Sequence, residues 1–191
     1  LAYLVGYAEF RGRRLLVEPA VLVPRPETEE LVTLVLAELS ATTAPRCLEL
    51  GTGSGAIAIS LALELPGAQI VATDLSIAAL AVAKNNAQTL QANIDFRAGS
   101  WYAPLAVGER FNLIVSNPPY IAAGDPHLDG DGLRFEPISA LSDGGDGLAC
   151  IREIVAGARA HLVSGGSLWF EHGYDQGSAS RNLLQAAGFE A

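Results

Sequence analysis

Apolar runs of five or six residues alternate along the chain with longer segments in which apolar side chains recur at helical spacing. The short runs predict β-strands at residues 46–50, 69–73, 94–98, 111–116 and 167–171. The longer segments predict helices at residues 56–65, 77–90, 147–162 and 178–187. Strands that alternate with helices at this spacing favour an α/β fold, with a doubly wound, mainly parallel sheet and helices on both faces.

The amino-terminal segment has a different pattern. Gly6 and Gly12 interrupt the apolar stretches of residues 3–17, which predicts a small β-hairpin. Residues 21–26 form a loop with prolines on both sides of Arg25, and the first helix should begin after Pro26 with Thr28 as its N-cap. We therefore divide the chain into a hairpin with its proline loop, residues 1–30, and an α/β domain, residues 31–191.

The two ends of the chain suggest that the sheet lacks strands. The sequence begins at Leu1, contains no methionine, and ends just after Gly188, which would cap the last helix. A further strand should follow such a helix, so we expect the last strands to be missing. Residues 167–171 would then form an open edge, and this chain should associate more readily than a longer version, as light scattering would detect.

Composition favours a soluble, cytoplasmic, globular protein. Half of the 191 residues are apolar, yet no apolar run is long enough to cross a bilayer and the amino terminus is unlike a signal peptide. The net charge of -9 argues against a surface that follows nucleic-acid phosphates. Cys47 and Cys150 lie in a predicted strand and a predicted helix, without the spacing of a zinc site. We expect two reduced, buried thiols and no metal.

The apolar run of residues 111–116 stops at Asn117-Pro118-Pro119-Tyr120. Neither proline can donate to a sheet or continue into a helix, so this turn fixes the carboxyl end of a buried strand. Open parallel sheets bind ligands at that edge, where the Asn117 amide can donate and accept hydrogen bonds and Tyr120 offers a flat apolar face. The turn suits a planar amino group. The alternative is that Asn117 is simply a turn residue.

A second candidate site is the segment Glu49-Leu-Gly51-Thr-Gly53-Ser-Gly55. Alternate glycines allow a tight turn and the close approach of a ligand to the main chain at a helix N-terminus. Taken alone, the pattern also fits a nicotinamide or flavin site, or a strand-to-helix turn without a ligand. Asp74 ends the next strand, where an acidic side chain would hold a ribose diol, although Asp74 or Ser76 could also cap the following helix.

Together these motifs resemble those of S-adenosylmethionine-dependent methyltransferases. More narrowly, they resemble the PrmC/HemK family, the protein-(glutamine-N5) methyltransferases that modify peptide chain release factors. The resemblance covers nearly the whole chain. Its further motifs are Tyr3-Leu-x-Gly6, Glu9-Phe10-x-Gly12, Pro24-Arg-Pro-Glu-Thr-Glu29, Gly99-x-Trp101, Asp125-Pro-His-Leu128, Arg134-Phe-Glu-Pro137, Asp146-Gly-Leu148, Glu171-His-Gly173 and Gln176-Gly177. Residues 24–29 are similar to the release-factor enzymes and not to the ribosomal-protein glutamine methyltransferases.

The resemblance implies a Rossmann-like methyltransferase fold with S-adenosyl-L-methionine as the cofactor. It implies that Asp74 holds the ribose and that Trp101 lies against the adenine, although Trp101 could also be a core aromatic residue. The residues that would line the methionine end of the cofactor are Gly51, Thr52, Gly53, Ser54 and Gly55.

The same resemblance implies a release factor as the protein substrate. Asn117, which would also border the cofactor, and the carbonyl of Pro118 would accept hydrogen bonds from a glutamine NH₂ group. Tyr120 would pack against the amide plane, and Pro119 would complete the substrate site. Asn117, Pro118 and Tyr120 are therefore the implied catalytic residues.

Two features depart from the family pattern. Asp131-Gly132 stand in the opposite order from the family's Gly-Asp, so we assign no role to Asp131. The second is that we expect the helical amino-terminal domain, with which the family recognises release factors, to be missing from this sequence.

Two other functions stay open at this point. The Asn-Pro-Pro-Tyr turn would also suit an adenine-N6 methyltransferase acting on DNA or RNA, which the acidic composition opposes. The chain could also be a non-catalytic module that binds the cofactor. Arg25, Glu27 and Thr28 could contact a peptide or tie the proline loop to the first helix. We expect His127 and His172 to be structural or surface residues, although His172, which follows Glu171 at a strand end, could also help to shape the pocket. We expect no membrane partner and no direct nucleic-acid binding.

Overall fold

The computed structural model describes residues 1–130 and 133–190. The strands described are β1 (Tyr7–Phe10), β2 (Arg13–Leu16), β3 (Arg46–Leu50), β4 (Gln69–Asp74), β5 (Ile94–Ala98), β6 (Phe111–Ser116) and β7 (Leu162–Phe170). The α-helices described are α1 (Ala2–Val5), α2 (Pro26–Leu39), α3 (Ala56–Glu64), α4 (Ile77–Thr89), α5 (Ala149–His161) and α6 (Gly177–Ala186). The 3₁₀ turns described between β6 and α5 are Pro126–Asp129, Leu133–Phe135 and Ile138–Ala140.

Five parallel strands form the main sheet in the order β5-β4-β3-β6-β7. The chain moves outward from β3 to β4 and β5, then returns to the other side of β3 for β6 and β7. The strand order therefore reverses beside β3, and an open α/β sheet binds ligands at the carboxyl ends next to such a reversal. Leu50 pairs with both Thr73 and Ser116, so three strands end level with one another at this point.

Alternate residues of the central strands pack into two cores. Leu113 and Val115 face one core, which α2 and α3 cover, while Ile114 between them faces a second core, which α5 covers. This period of two, with burial on both faces, explains why each central strand is a continuous apolar run. The predicted doubly wound fold is confirmed, and the predicted central strands end at or within one residue of those observed.

The hairpin shares the first core with the sheet. Phe10 and Leu15 are buried against α2 and α3 residues, and the Asn86 side chain of α4 bonds to both the N–H and the carbonyl of Leu16. The Arg11 guanidinium pairs with Glu64 at 2.7 Å. The division at residue 30 stays a prediction, and it falls inside α2.

Three details of the sequence-based interpretation are wrong. The hairpin occupies less of residues 3–17 than predicted, because Ala2–Val5 form a helical turn that Gly6 ends. The N-cap of α2 is Arg25, which Pro26 holds extended, so Thr28 lies in the first helical turn. Cys150 is half-buried, while Cys47 is buried as expected. The reversed pair Asp131-Gly132 lies outside the described residues.

Candidate active site

A cavity of about 460 Å³ opens at the carboxyl ends of β3, β4 and β6. The sequence-predicted residues that line it are Gly51, Thr52, Gly53, Ser54, Asp74, Trp101, Asn117 and Pro119. A second cavity of about 190 Å³ lies beside it and is lined by Pro118 and Tyr120. Asn117 lines both cavities, so the turn after β6 stands between them.

The glycine turn after β3 has the backbone conformation that its sequence predicts. Gly51, Gly53 and Gly55 have φ angles of 72°, 54° and 85°, which side chains rarely adopt. The N–H groups of Gly51 and Thr52 both donate to the carbonyl of Thr73, which ties the turn to β4. Gly55 is outside the cavity lining, and a Cβ there would lie 3.0 Å from Ile59 and 3.3 Å from Ala83. Its observed role is the close approach of α3 and α4.

Glu49 is a site residue to which sequence reasoning gave no role. Its side chain is buried at the cavity wall and accepts hydrogen bonds from the Thr52 hydroxyl at 2.5 Å and the Ala58 N–H at 3.0 Å. Burial raises the pKa of this carboxyl group to about 8, against the opposing effect of the two hydrogen bonds. The sequence signal for such a role is an acidic residue between Leu48 and Leu50, directly before the glycine turn.

Asp74 connects the glycine turn to α4. One carboxylate oxygen accepts from Gly53 N–H and the other from Ser76 N–H, both at 2.8 Å. Burial raises the pKa of Asp74, while these two N–H groups act in the opposite direction. Ser76, not Asp74, is the N-cap of α4, because its hydroxyl accepts from Ala79 N–H. Asp74 faces the cavity as well, so its ribose role stays a prediction.

Trp101 is part of the cavity wall and of the core. It has a φ of 44°, and its carbonyl accepts a hydrogen bond from the Thr73 hydroxyl at 3.0 Å. A Cβ built on Gly51 would lie 3.5 Å from the Trp101 ring, so the ring stands directly over the glycine turn. The ring also packs against the second core. Its contact with an adenine stays a prediction.

The Asn117 turn is held by residues from two distant elements. Asn117 Nδ2 donates to the Thr28 hydroxyl at 2.9 Å, and Thr28 in turn donates to Glu171 at 2.8 Å. The Tyr120 hydroxyl donates to the other oxygen of Glu171 at 2.9 Å. Burial, then the Glu171 charge, raises the pKa of Tyr120. Glu171 had two sequence signals, its place at the end of the predicted strand 167–171 and the motif Glu171-His-Gly173 of the family resemblance.

Residues 133–148, which precede α5, form a covering segment over the two cavities. Pro137, Ser139 and Ala140 line the larger one, as does Asp143. Asp143 organises this segment, because its carboxylate accepts from the N–H groups of Gly145, Gly147 and Ala149.

Four residues whose roles the sequence left open have different surroundings in the structure. Arg25 pairs at 2.5 Å with Glu136, whose side chain is buried, and this ion pair joins the proline loop to the covering segment. Glu27 is exposed on α2. His127 and His172 are exposed, and their ring nitrogens bond to nearby Asp125 and Gly173. Neither histidine lines a cavity described here.

Residues 1–130 and 133–190 contain neither a candidate membrane span nor a candidate metal site. In this part of the chain, no helix is both long enough and apolar enough to span a membrane. The same residues contain no group of three or more His, Cys, Asp and Glu side chains that could hold a metal ion.

Comparisons with known proteins define the class. The family described as Methyltransferase small domain matches residues 28–129. Among solved structures, a 16S rRNA methyltransferase from T. thermophilus in complex with AdoMet and guanosine aligns with a TM-score of 0.68 at 18% identity, over 95% of this chain and 44% of that one. A ribosomal protein L11 methylase from Lactobacillus delbrueckii subsp. bulgaricus aligns with a TM-score of 0.63 at 22% identity, over 87% of this chain and 71% of that one. The chain is thus an S-adenosylmethionine-dependent methyltransferase by fold and class.

Curated relatives define the family. The chain is 54% identical to the release factor glutamine methyltransferase of Bordetella pertussis over 98% of its own length and 70% of the relative's. It is 52% identical to the protein of that name from Burkholderia pseudomallei, over 99% of its own length and 68% of the relative's. The chain belongs to the release factor glutamine methyltransferase family. The predicted family, fold and cofactor are therefore confirmed.

Proposed function

We propose that this chain transfers a methyl group from S-adenosyl-L-methionine to the side-chain amide nitrogen of a glutamine in a peptide chain release factor. The observation that carries the proposal is the position of Asn117 between two cavities, one suited to a cofactor and one to a substrate side chain. The names of the curated relatives support the release factor as the protein substrate. The proposal also places the chain in the cytoplasm, where translation proceeds.

The larger cavity fits the cofactor in shape and in charge. Gly51 and Gly53 leave the backbone accessible, and the Trp101 ring provides an apolar wall above them. The carboxyl groups of Asp74, Asp143 and Glu153 line the cavity, and Arg25 is the one basic residue among its described lining. Glu49 also lines it, but its pKa of about 8 keeps it mainly uncharged at pH 7. This balance favours a cationic sulfonium and an amino group over a pyrophosphate. Asp74 would accept from the ribose hydroxyls.

The smaller cavity fits a glutamine side chain. Its walls are mainly apolar and include Leu22, Leu133 and Leu141. Arg25 and Tyr120 also line it. The methylene groups of a glutamine would contact these walls while its amide reaches Asn117 and the carbonyl of Pro118. Pro119 borders the larger cavity, so the turn separates the substrate from the bulk of the cofactor.

The proposed mechanism uses orientation more than proton removal. An amide nitrogen is a weak nucleophile because its lone pair is delocalised into the carbonyl group. When bound, the cofactor supplies a methyl group that is already activated by its positive sulfur. Asn117 Oδ1 and the Pro118 carbonyl would accept from the two N–H bonds, which aligns the nitrogen and stabilises the positive charge that develops on it. As the N–CH₃ bond forms, the S–CH₃ bond would break and leave its electron pair on sulfur. The methylated amide would then release one N–H proton to solvent. Tyr120 would hold the amide plane.

Incubation with methyl-labelled cofactor and two separate acceptors, a release factor and a DNA duplex, tests the proposal. We expect label on the release factor alone, located on a glutamine side-chain nitrogen by fragmentation mass spectrometry. Label on DNA would support an adenine methyltransferase instead. Cofactor binding without transfer to either acceptor would indicate a binding module.

A further inference from the structure

Four side chains form one continuous chain of hydrogen bonds behind the Asn117 turn. Asn117 Nδ2 bonds to Thr28 at 2.9 Å, Thr28 to Glu171 at 2.8 Å, and Tyr120 to Glu171 at 2.9 Å. Asn117 and Thr28 are 89 positions apart in the sequence, and Thr28 and Glu171 are 143 apart. One carboxylate therefore connects both ends of the Asn-Pro-Pro-Tyr turn to helix α2.

The sheet register puts Glu171 beside this turn. Ser116 pairs with Phe170 across β6 and β7, and Glu171 N–H donates to the carbonyl of Ser116 at 3.0 Å. The residues that follow these partners, Asn117 and Glu171, thus leave adjacent strands at the same level. The first turn of α2 then places Thr28 between their side chains.

The direction of the hydrogen bonds determines which way the Asn117 amide points. The Thr28 hydroxyl donates its single hydrogen to one oxygen of Glu171, whose other oxygen accepts from Tyr120. Thr28 can then only accept from Asn117, which requires the NH₂ group on that side. Thr28 is 4% exposed, so water cannot easily replace either partner. The Asn117 Oδ1 atom is left facing away from Thr28.

We infer that Thr28 and Glu171 are positioning residues that fix the Asn117 amide with its oxygen toward the substrate. This inference rests on the proposed function, in which Oδ1 accepts from a substrate NH₂ group. If the Asn117 amide were reversed, its NH₂ group would face the NH₂ group of the substrate. The two groups would repel each other, and the site would lose an acceptor. The same carboxylate holds Tyr120, so it would also set the distance between the acceptor and the aromatic wall.

Substitutions at Thr28 test the inference with a matched control. Thr28→Val removes the hydroxyl at constant shape, Thr28→Ser restores a hydroxyl, and Thr33→Val removes an exposed hydroxyl from the same helix. We expect Thr28→Val to slow single-turnover methyl transfer by ~10- to 100-fold, the range found when groups that orient metal ligands are removed. The cofactor Kd should stay unchanged, Thr28→Ser should recover most of the rate, and Thr33→Val should match the wild type.

A readout that does not depend on activity is the side-chain amide resonance of Asn117. In protein labelled with ¹⁵N-asparagine, this resonance is assigned by its loss in Asn117→Asp. We expect slow hydrogen exchange of this NH₂ group in the wild type and in Thr28→Ser, and faster exchange with a shifted resonance in Thr28→Val. A resonance that is the same in Thr28→Val and wild type, together with an unchanged transfer rate, would overturn the inference.

A pair of variants at Glu171 covers the case in which Thr28→Val does not fold. Glu171→Gln keeps an acceptor for Thr28 and lets its NH₂ group donate to Tyr120, so most of the rate should remain. Glu171→Leu has a similar size but no acceptor, and it should lose rate as Thr28→Val does. Equal rates in both variants and the wild type would contradict the inference. A folded wild type that binds cofactor but transfers no methyl group would contradict the proposed function instead, while the amide resonance would still test the positioning.

Discussion

Gly147 lies directly against the carbonyl oxygen of Tyr120, so closely that a Cβ on Gly147 would overlap that oxygen. The same Cβ would come within 2.7 Å of Gln176 Nε2, which donates to the Tyr120 carbonyl at 2.9 Å. Gly147 also has a φ of 78°. The covering segment thus packs against the Asn-Pro-Pro-Tyr turn so closely that position 147 has no room for a side chain.

Gly147→Ala should therefore displace Tyr120 and lower methyl transfer. Gly144→Ala is the control, because Gly144 has a similar φ of 73° in the same segment but nothing within 4 Å of its Cβ. Both variants carry the strain of a left-handed backbone, of order 1–2 kcal/mol. We expect the transfer rate to fall much further in Gly147→Ala than in Gly144→Ala when both are measured with saturating cofactor. Equal rates would show that the contact with Tyr120 does not matter for activity.

Asp74→Ala should weaken cofactor binding. The substitution removes acceptors for two backbone N–H groups of the site as well as the proposed ribose contact. Hydrogen bonds to a charged group contribute about 1.5–3 kcal/mol, so the cofactor Kd should rise by roughly 10- to 150-fold. Asp95→Ala, which removes a more exposed carboxylate from the neighbouring strand, is the control for titration calorimetry. An unchanged Kd in a folded Asp74→Ala protein would remove Asp74 from the site.

Glu49 should make the stability of the cofactor-free protein depend on pH. Its folded pKa of about 8 lies above the usual 4.5, so its stabilising contribution is full below about pH 4.5 and is lost as the pH rises through 8. Glu49→Gln is neutral throughout. We expect the free energy of unfolding to fall between pH 5 and 8 more steeply in the wild type, by up to about 1.4 kcal/mol per pH unit. If urea unfolding gives the same change in the free energy of unfolding between pH 5 and 8 for both proteins, the raised pKa is contradicted.

The sequence pattern predicted those elements that depend on the residues within them and not on distant contacts. The central strands are buried on both faces, so each one appears in the sequence as an apolar run. The glycine turn and the Asn-Pro-Pro-Tyr turn were also visible, because backbone conformation and proline chemistry require those residue types.

The hydrogen bonds that hold the site residues in place could not be predicted from local patterns. Thr28 is a residue type that favours the N-cap position, but the N-cap of α2 is Arg25, three residues earlier, and the Thr28 hydroxyl bonds to Glu171 instead. That bond links residues 143 positions apart, so neither periodicity nor a short motif contains it. Glu49 was missed for a related reason. Its burial depends on how α3 packs onto β3, which the order of the residues does not show.

The most direct test of the account is the single-turnover rate of Asn117→Ala on a release factor, with saturating cofactor. This variant should fold and bind the cofactor, because the glycine turn and Asp74 are untouched, and it should lose roughly 10²–10³-fold in rate, as when one oxyanion-hole donor is removed. Asn117→Asp keeps the size and the oxygen acceptors but adds a charge and loses the NH₂ group that donates to Thr28, so it should retain only partial activity. Asn182→Ala, on the exposed face of α6, should match the wild type. A near-normal rate for Asn117→Ala would contradict the claim that this amide holds the substrate nitrogen.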